Sequence, residues 1–214
     1  MVKLASFVLA AFAGTCVLAS PITAVLRDND EELLKYLTET NPENIVFNPV
    51  PGLPTLEELN ITVADFFKPE FRAKHGLPDP RNTSPLPAQR ARDLLEKRFD
   101  PVCYSGDLST VTHVNGAYAC RDYLNSLGTT QCAAYSHLPG TKMCDMVVEY
   151  TRVVTYGTPA GSLYSAASHC SDVARGMNWI IDNCRTNNPC HCGVSGANAA
   201  WGNGDLIITI KNTF

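Results

Sequence analysis

Cys190-His191-Cys192 places three side chains of metal-ligand type within three residues, and Cys184 lies six residues upstream. Thiolates and imidazoles in such a run are the donors of a tetrahedral zinc site. The same thiols can instead close disulfides, and arithmetic separates the two chemistries. Of the nine cysteines, Cys16 sits in an apolar N-terminal run. The other eight, Cys103, Cys120, Cys132, Cys144, Cys170, Cys184, Cys190 and Cys192, make an even set with none left over for a metal. Proton transfer is a second possible chemistry. His113, His137, His169 and His191, with Asp107, Asp145, Glu149 and Asp172, supply raw material for an acid–base pair, but no spacing gathers them. The chain carries no Gly-x-Ser-x-Gly elbow, no His-Glu-x-x-His and no phosphate-cradling glycine loop. Asn203-Gly204-Asp205 lacks the alternating oxygen ligands of a calcium loop and reads as a turn. These residues predict no metal, no cofactor and a protein that works by binding, with a small hydrolase as the rival.

The elements that must position these residues begin with an export signal. Lys3 precedes the apolar run Leu4 to Leu18, long enough for a signal-peptide core and too short to cross a bilayer. Val17 and Ala19 fit the small-residue positions before a cut, which defines residues 1–19 as a signal peptide and implies a secreted, extracellular product. Cys16 leaves with that peptide, and the remaining eight cysteines meet an oxidising compartment.

Composition then divides the exported chain. From Pro21 to Arg98 there are ten prolines, two glycines and no cysteine, whereas Phe99 to Phe214 has four prolines, eleven glycines and eight cysteines. Lys97-Arg98 falls on that boundary, five residues before Cys103, and is the single Lys/Arg doublet after the signal peptide. Residues 20–98 resemble the pro-segment of fungal secreted proteins that a kexin-type protease cuts after Lys-Arg. The resemblance implies that such a protease is a partner during maturation and that residues 99–214 are the mature domain. Asp28 to Leu37, Thr55 to Phe67 and Pro87 to Lys97 have helical spacing, and proline-rich stretches separate them. That predicts a partly disordered pro-segment, short helices on a string, acting as a chaperone, a solubility tag or a plain spacer. Both N-glycosylation sequons, at Asn60 and Asn82, lie within it.

The segment Phe99 to Phe214 has eight acidic and six basic side chains. Its charge is close to balanced and its cations are scattered, which argues against nucleic acid and against an electrostatic membrane anchor. We expect one domain and a monomer. Ala117, Cys120, Tyr123, Leu124 and Leu127 recur at helical spacing, and Gly128 ends the pattern. Lys142 to Tyr156 is rich in β-branched and aromatic residues and predicts two strands or one long bent one. A second helix starts near Ser168, with Cys170, Val173, Met177, Ile180, Ile181 and Cys184 on one stripe. Gly202-Asn203-Gly204-Asp205 is a turn, and Leu206 to Lys211 is a closing strand. The sum is α+β: a small disulfide-stapled α/β sandwich, two helices on a mostly antiparallel sheet.

Geometry restricts the bridges. Fourteen residues of helix between Cys170 and Cys184 span about 21 Å, three times the Cα limit for a disulfide. Those two must therefore bond to other elements, and Cys190 and Cys192 are too close in an extended segment for an unstrained bridge to each other.

The stretch Cys170 to Phe214 joins a helix with cysteines at both ends to Cys190-His191-Cys192-Gly193 and then Gly204-Asp205-Leu206-Ile207-Ile208. It resembles the ending of fungal killer-toxin-like and necrosis-inducing effector domains. The resemblance implies a secreted effector or toxin-like protein that binds a host or competitor target once the pro-segment is removed. Tyr104, Tyr118, Tyr135, Tyr156, Tyr164 and Trp201 fall in or beside expected loops, where a ring with a polar tip can stack on sugar or anchor a protein. We single out Trp201, Tyr104 and Tyr156 as a candidate binding surface, and cell-wall polysaccharide as the alternative ligand. Composition equally allows a protease inhibitor.

Overall fold

The computed structural model describes residues 44–77, 99–104, 106, 109–136, 139–186 and 192–213. The β-rich stretch forms a hairpin: β5 (Thr141–Val148) runs antiparallel to β6 (Thr151–Pro159). The turn is made at Glu149, which takes a left-handed φ of 54°. β10 (Asn203–Lys211) pairs with the far side of β6, β9 (Gly196–Ala200) pairs with β10, and β2 (Val102–Cys103) closes that edge. Gly202 carries the β9–β10 turn at φ 67°. The opposite edge belongs to residues that precede the dibasic pair: β1 (Ile45–Phe47) lies antiparallel on β5. The sheet order is β1-β5-β6-β10-β9-β2. Two short ribbons flank it, β3 (Thr112–His113) with β8 (Gly193–Val194) and β4 (Gln131–Tyr135) with β7 (Ser165–His169).

The helices follow the apolar periods. After a 3-10 turn at Val63–Phe67 comes the short α1 (Pro69–Lys74). α2 (Val114–Ser126) and α3 (Cys170–Asn183) pack against each other, α2 against β5 and β6 and α3 against β9 and β10. Glycines set how closely they lie. A Cβ on Gly116 would run into the side chains of Val153 and Val148, and one on Gly176 would meet the Ala199 carbonyl oxygen at 2.5 Å. The buried stripe of α3 (Cys170, Val173, Met177, Ile180 and Ile181) faces the core as expected. The expected α+β class, with helices on a mostly antiparallel sheet, is the observed one.

Three bridges fasten these layers. Cys120–Cys144 joins α2 to β5, Cys132–Cys170 joins β4 to the start of α3, and Cys103–Cys184 joins β2 to its end. The second helix is thus stapled at both ends to other elements, as its length requires. Cys192 is also disulfide-bonded, to a partner outside the described residues. The expectation that Cys190 and Cys192 avoid each other lies outside them too.

One expectation fails. Residues 44–77 are not helices on a string, since they lay a strand and a folded cover on the domain. The anticipated helix from Thr55 to Phe67 is interrupted at Asn60, whose φ of 59° takes the backbone out of the helical region. Thr62 and Asp65 then restart the chain with a reciprocal capping box, the Thr62 N–H donating to Asp65 Oδ2 at 2.7 Å. The remaining expected helices, Asp28 to Leu37 and Pro87 to Lys97, lie outside the described residues, as does the signal peptide.

Candidate functional site

Every residue of α2 from Val114 to Leu124 is buried, a condition that sheet and α3 alone cannot impose on all sides of a helix. The missing side is supplied by residues 44–77. Ile45, Val46 and Phe47 register on Val148, Val147 and Met146, and the ladder extends through Asn48 N–H donating to the Asp145 carbonyl at 2.9 Å. Alternation then sorts the strand: Ile45 is buried, Val46 is exposed, and the Phe47 ring lies 4.9 Å from that of Tyr123 on α2. Phe66 is wholly buried and meets Phe71 edge-on at 5.6 Å, while Leu53, Leu56, Leu59, Ile61 and Val63 pack against the same core.

Polar contacts fix the cover in place. Tyr123 Oη donates to the Pro54 carbonyl at 2.6 Å, and burial, with the Glu58 carboxylate nearby, pushes this phenol up to about 12. Asn125 Nδ2 donates to the His75 carbonyl at 3.0 Å. Asp122, almost fully buried, is held between Arg121 from its own helix and Arg72 from α1, both at 2.6 Å. Asp145 accepts from Arg152, Lys142 and Asn48. Burial alone would raise its carboxyl, and those donors outweigh it and hold it below the usual range. Two buried carboxylates of the domain thus each take a donor from the N-terminal segment.

A second polar group lies between the helices. Arg121 and Arg185 both stand over the Tyr118 ring, 4.7 and 5.7 Å from its centroid, and Arg185 also donates to the Tyr118 hydroxyl. Arg121 reaches Asn178 at 3.2 Å. Asp182, at the rim with part of its surface open to water, is pushed up to about 6 by burial of the remainder, against the pull of Arg121 and Arg185.

Among the described residues the sequence candidates do not form one site, although His169 and Trp201 both lie beside Asp172. Tyr156 is 3% exposed on β6, its ring beneath Lys211 on the face of the sheet opposite Val153 and Thr155, which meet the helices, so it is no part of an open binding surface. Tyr118 is buried for the reason just given. Trp201 is half-buried in the β9–β10 turn, its backbone N–H donating to the Asp172 carbonyl at 3.0 Å, and Tyr104 is partly exposed beyond β2. The exposed rings that do meet are Tyr135 and Tyr164, 6.4 Å apart and edge to face. His169 lies 3.7 Å from Asp172 in the open. His113 is instead a helix cap, its Nδ1 accepting from Asn115 N–H at 3.2 Å, and burial lowers its pKa. His137 and His191 lie outside the described residues, as do Asp107, Cys190, Asn82, Lys97 and Arg98. Asn60 is exposed. Cys184 is bonded to Cys103 and is no longer a thiol that could join Cys190-His191-Cys192 on a metal. Among the described residues no cluster of three His, Cys, Asp or Glu side chains could hold a metal ion, and no helix is long and apolar enough to cross a membrane.

Sequence reasoning overlooked the face around Tyr123, Asp122 and Asp145. Its signals were present: an Ile-Val-Phe run inside a proline-rich stretch, and an Arg-Asp pair within an otherwise apolar helical repeat. Fold and face together define a class: a small disulfide-stapled α+β domain wearing its own N-terminal segment as edge strand and cover. Within that class, residues 100–212 match the model of a family described as Domain of unknown function (DUF8794), and the chain, more than half of which is matched, belongs to that family. The match begins two residues after Arg98 and leaves out the cover. No curated protein and no solved structure matches the chain.

Proposed function

We propose that this chain is the precursor of a secreted effector or toxin-like protein that acts by binding a host or competitor target after its pro-segment is cut off behind Lys97-Arg98. The observation that carries the reading is the cover itself. A segment that ends before the family's domain begins, with a dibasic pair in the connection, occupies a face built of a sheet edge, a tyrosine and a buried carboxylate. Such a face is what an extended protein segment engages. Of the described candidate histidines, His113 is taken up as a helix cap, which supports binding over catalysis. The test compares secreted wild-type protein with a Lys97→Ala, Arg98→Ala double variant on cells of a competing or host species. Growth arrest or death from wild type and none from the uncut variant is the expected result. Equal potency of the two, or no effect from either, contradicts the reading.

The Tyr135–Tyr164 pair supports cell-wall polysaccharide as a second ligand, since two open rings offer faces for stacking on sugar. Co-sedimentation with insoluble glucan or chitin, lost in Tyr135→Ala and Tyr164→Ala, is the corresponding check.

A further inference from the structure

We propose that the cut behind Arg98 does not itself free the domain: residues 44–77 remain seated on β5 and α2 as a separate chain, ligand of a strand-accepting site. The inference rests on the processing reading above and adds what the cut leaves behind. Nothing covalent besides the connecting residues 78–98 ties the segment to the domain, because residues 20–98 contain no cysteine. All that holds it afterwards is the interface. That interface includes the backbone ladder on β5 and the Phe47–Tyr123 contact. It also has the buried Phe66 and hydrogen bonds to Asp122, Tyr123, Asn125 and Asp145.

Without β1, the β5 backbone is an open edge, and open edges recruit strands. The seat specifies its ligand: an extended segment antiparallel to β5, apolar at alternate positions, followed by an aromatic plug and a cation for Asp122. What the cut changes is concentration. While the connection is intact the segment is presented to its seat at an effective concentration on the order of millimolar, and after the cut that advantage is lost. Occupancy then depends on dilution, so the domain would be uncovered by spreading into the medium rather than by the protease. A target that engages this face competes with the segment for it.

The test uses the full chain, folded with its disulfides and then cut by a kexin-type protease. A second form has a thrombin site in place of Leu95 to Arg98. Failure of the kexin-type enzyme to cut counts against the processing reading alone, and the thrombin form still answers this question. Size-exclusion and native mass analysis at about ten micromolar are expected to find both chains in one complex, separating on dilution. A fluorescein-labelled synthetic peptide of residues 44–77 is expected to exchange into the diluted, cut protein with saturable anisotropy. The same peptide carrying Phe66→Ala should bind about a hundredfold or more weakly. Because the substitution is in the peptide, the domain's folding is untouched. The domain eluting alone at that concentration, or equal binding by both peptides, overturns the proposal.

Discussion

Replacing Phe66 by alanine tests whether the N-terminal segment shares the domain's core. The ring is 0% exposed, lies in the same cluster as Val114, Tyr123 and Leu124, and meets Phe71 at 5.6 Å. Removing a fully buried phenylalanine costs about 3–5 kcal/mol, the transfer of the ring plus the void it leaves. At about 2–4 °C per kcal/mol for a domain of this size, the full-length chain should unfold roughly 6–20 °C lower. The assay is thermal unfolding by circular dichroism with disulfides intact. Val46→Ala serves as control, because Val46 points outward from the same segment at 56% exposure and should cost no more than about 0.5 kcal/mol. Should the segment lift off before the domain melts, the loss falls on that first transition. A Phe66→Ala protein whose transitions all stay within about 1 °C of wild type would refute a shared core.

Gly116→Ala forces a methyl group against Val153 and Val148 where α2 crosses the hairpin, and should destabilise the chain by about 1–3 kcal/mol in urea denaturation. His113 has its pKa lowered from 6.5 by burial, so the unfolded chain takes up the proton first. Stability is full above that value and is lost as pH falls from it toward the lower folded pKa, with the cap hydrogen bond from Asn115 broken on protonation. His113→Asn keeps a capping side chain and should flatten the change in Tm between about pH 7 and pH 5. Six of the eight cysteines after Arg98 are taken by three bridges, so peptide mapping without reduction should find Cys192 joined to Cys190. That outcome runs against the sequence argument from extended geometry, and a link from Cys192 to any of the other six contradicts the observed pairing.

Local periodicity made the domain's frame legible. The spacing of Ala117, Cys120, Tyr123 and Leu124 marks α2, the β-branched run marks β5 and β6, and the length of α3 dictates that Cys170 and Cys184 bond elsewhere. What was hidden is non-local. β1 is three residues whose partner lies about a hundred positions away, and nothing in Ile45-Val46-Phe47 says which edge it joins. β7 and β9 are built largely from alanine, serine and glycine, and neither they nor β4 contain a β-branched residue. Composition made the N-terminal half look like a spacer because its prolines break helices, yet proline does not prevent a chain from lying across another surface. Tyr156 shows the converse error: a ring near an expected turn was read as exposed, and it lies instead in a run of buried β6 residues from Val153 to Gly157, covered by Lys211.

Intact mass of the secreted protein, with and without reductant, tests the central claim most directly. The account predicts a species beginning at Phe99 that gains about eight mass units on reduction, two for each of four bridges. A species beginning near Ser20, with the connection between the two parts uncut, would contradict it.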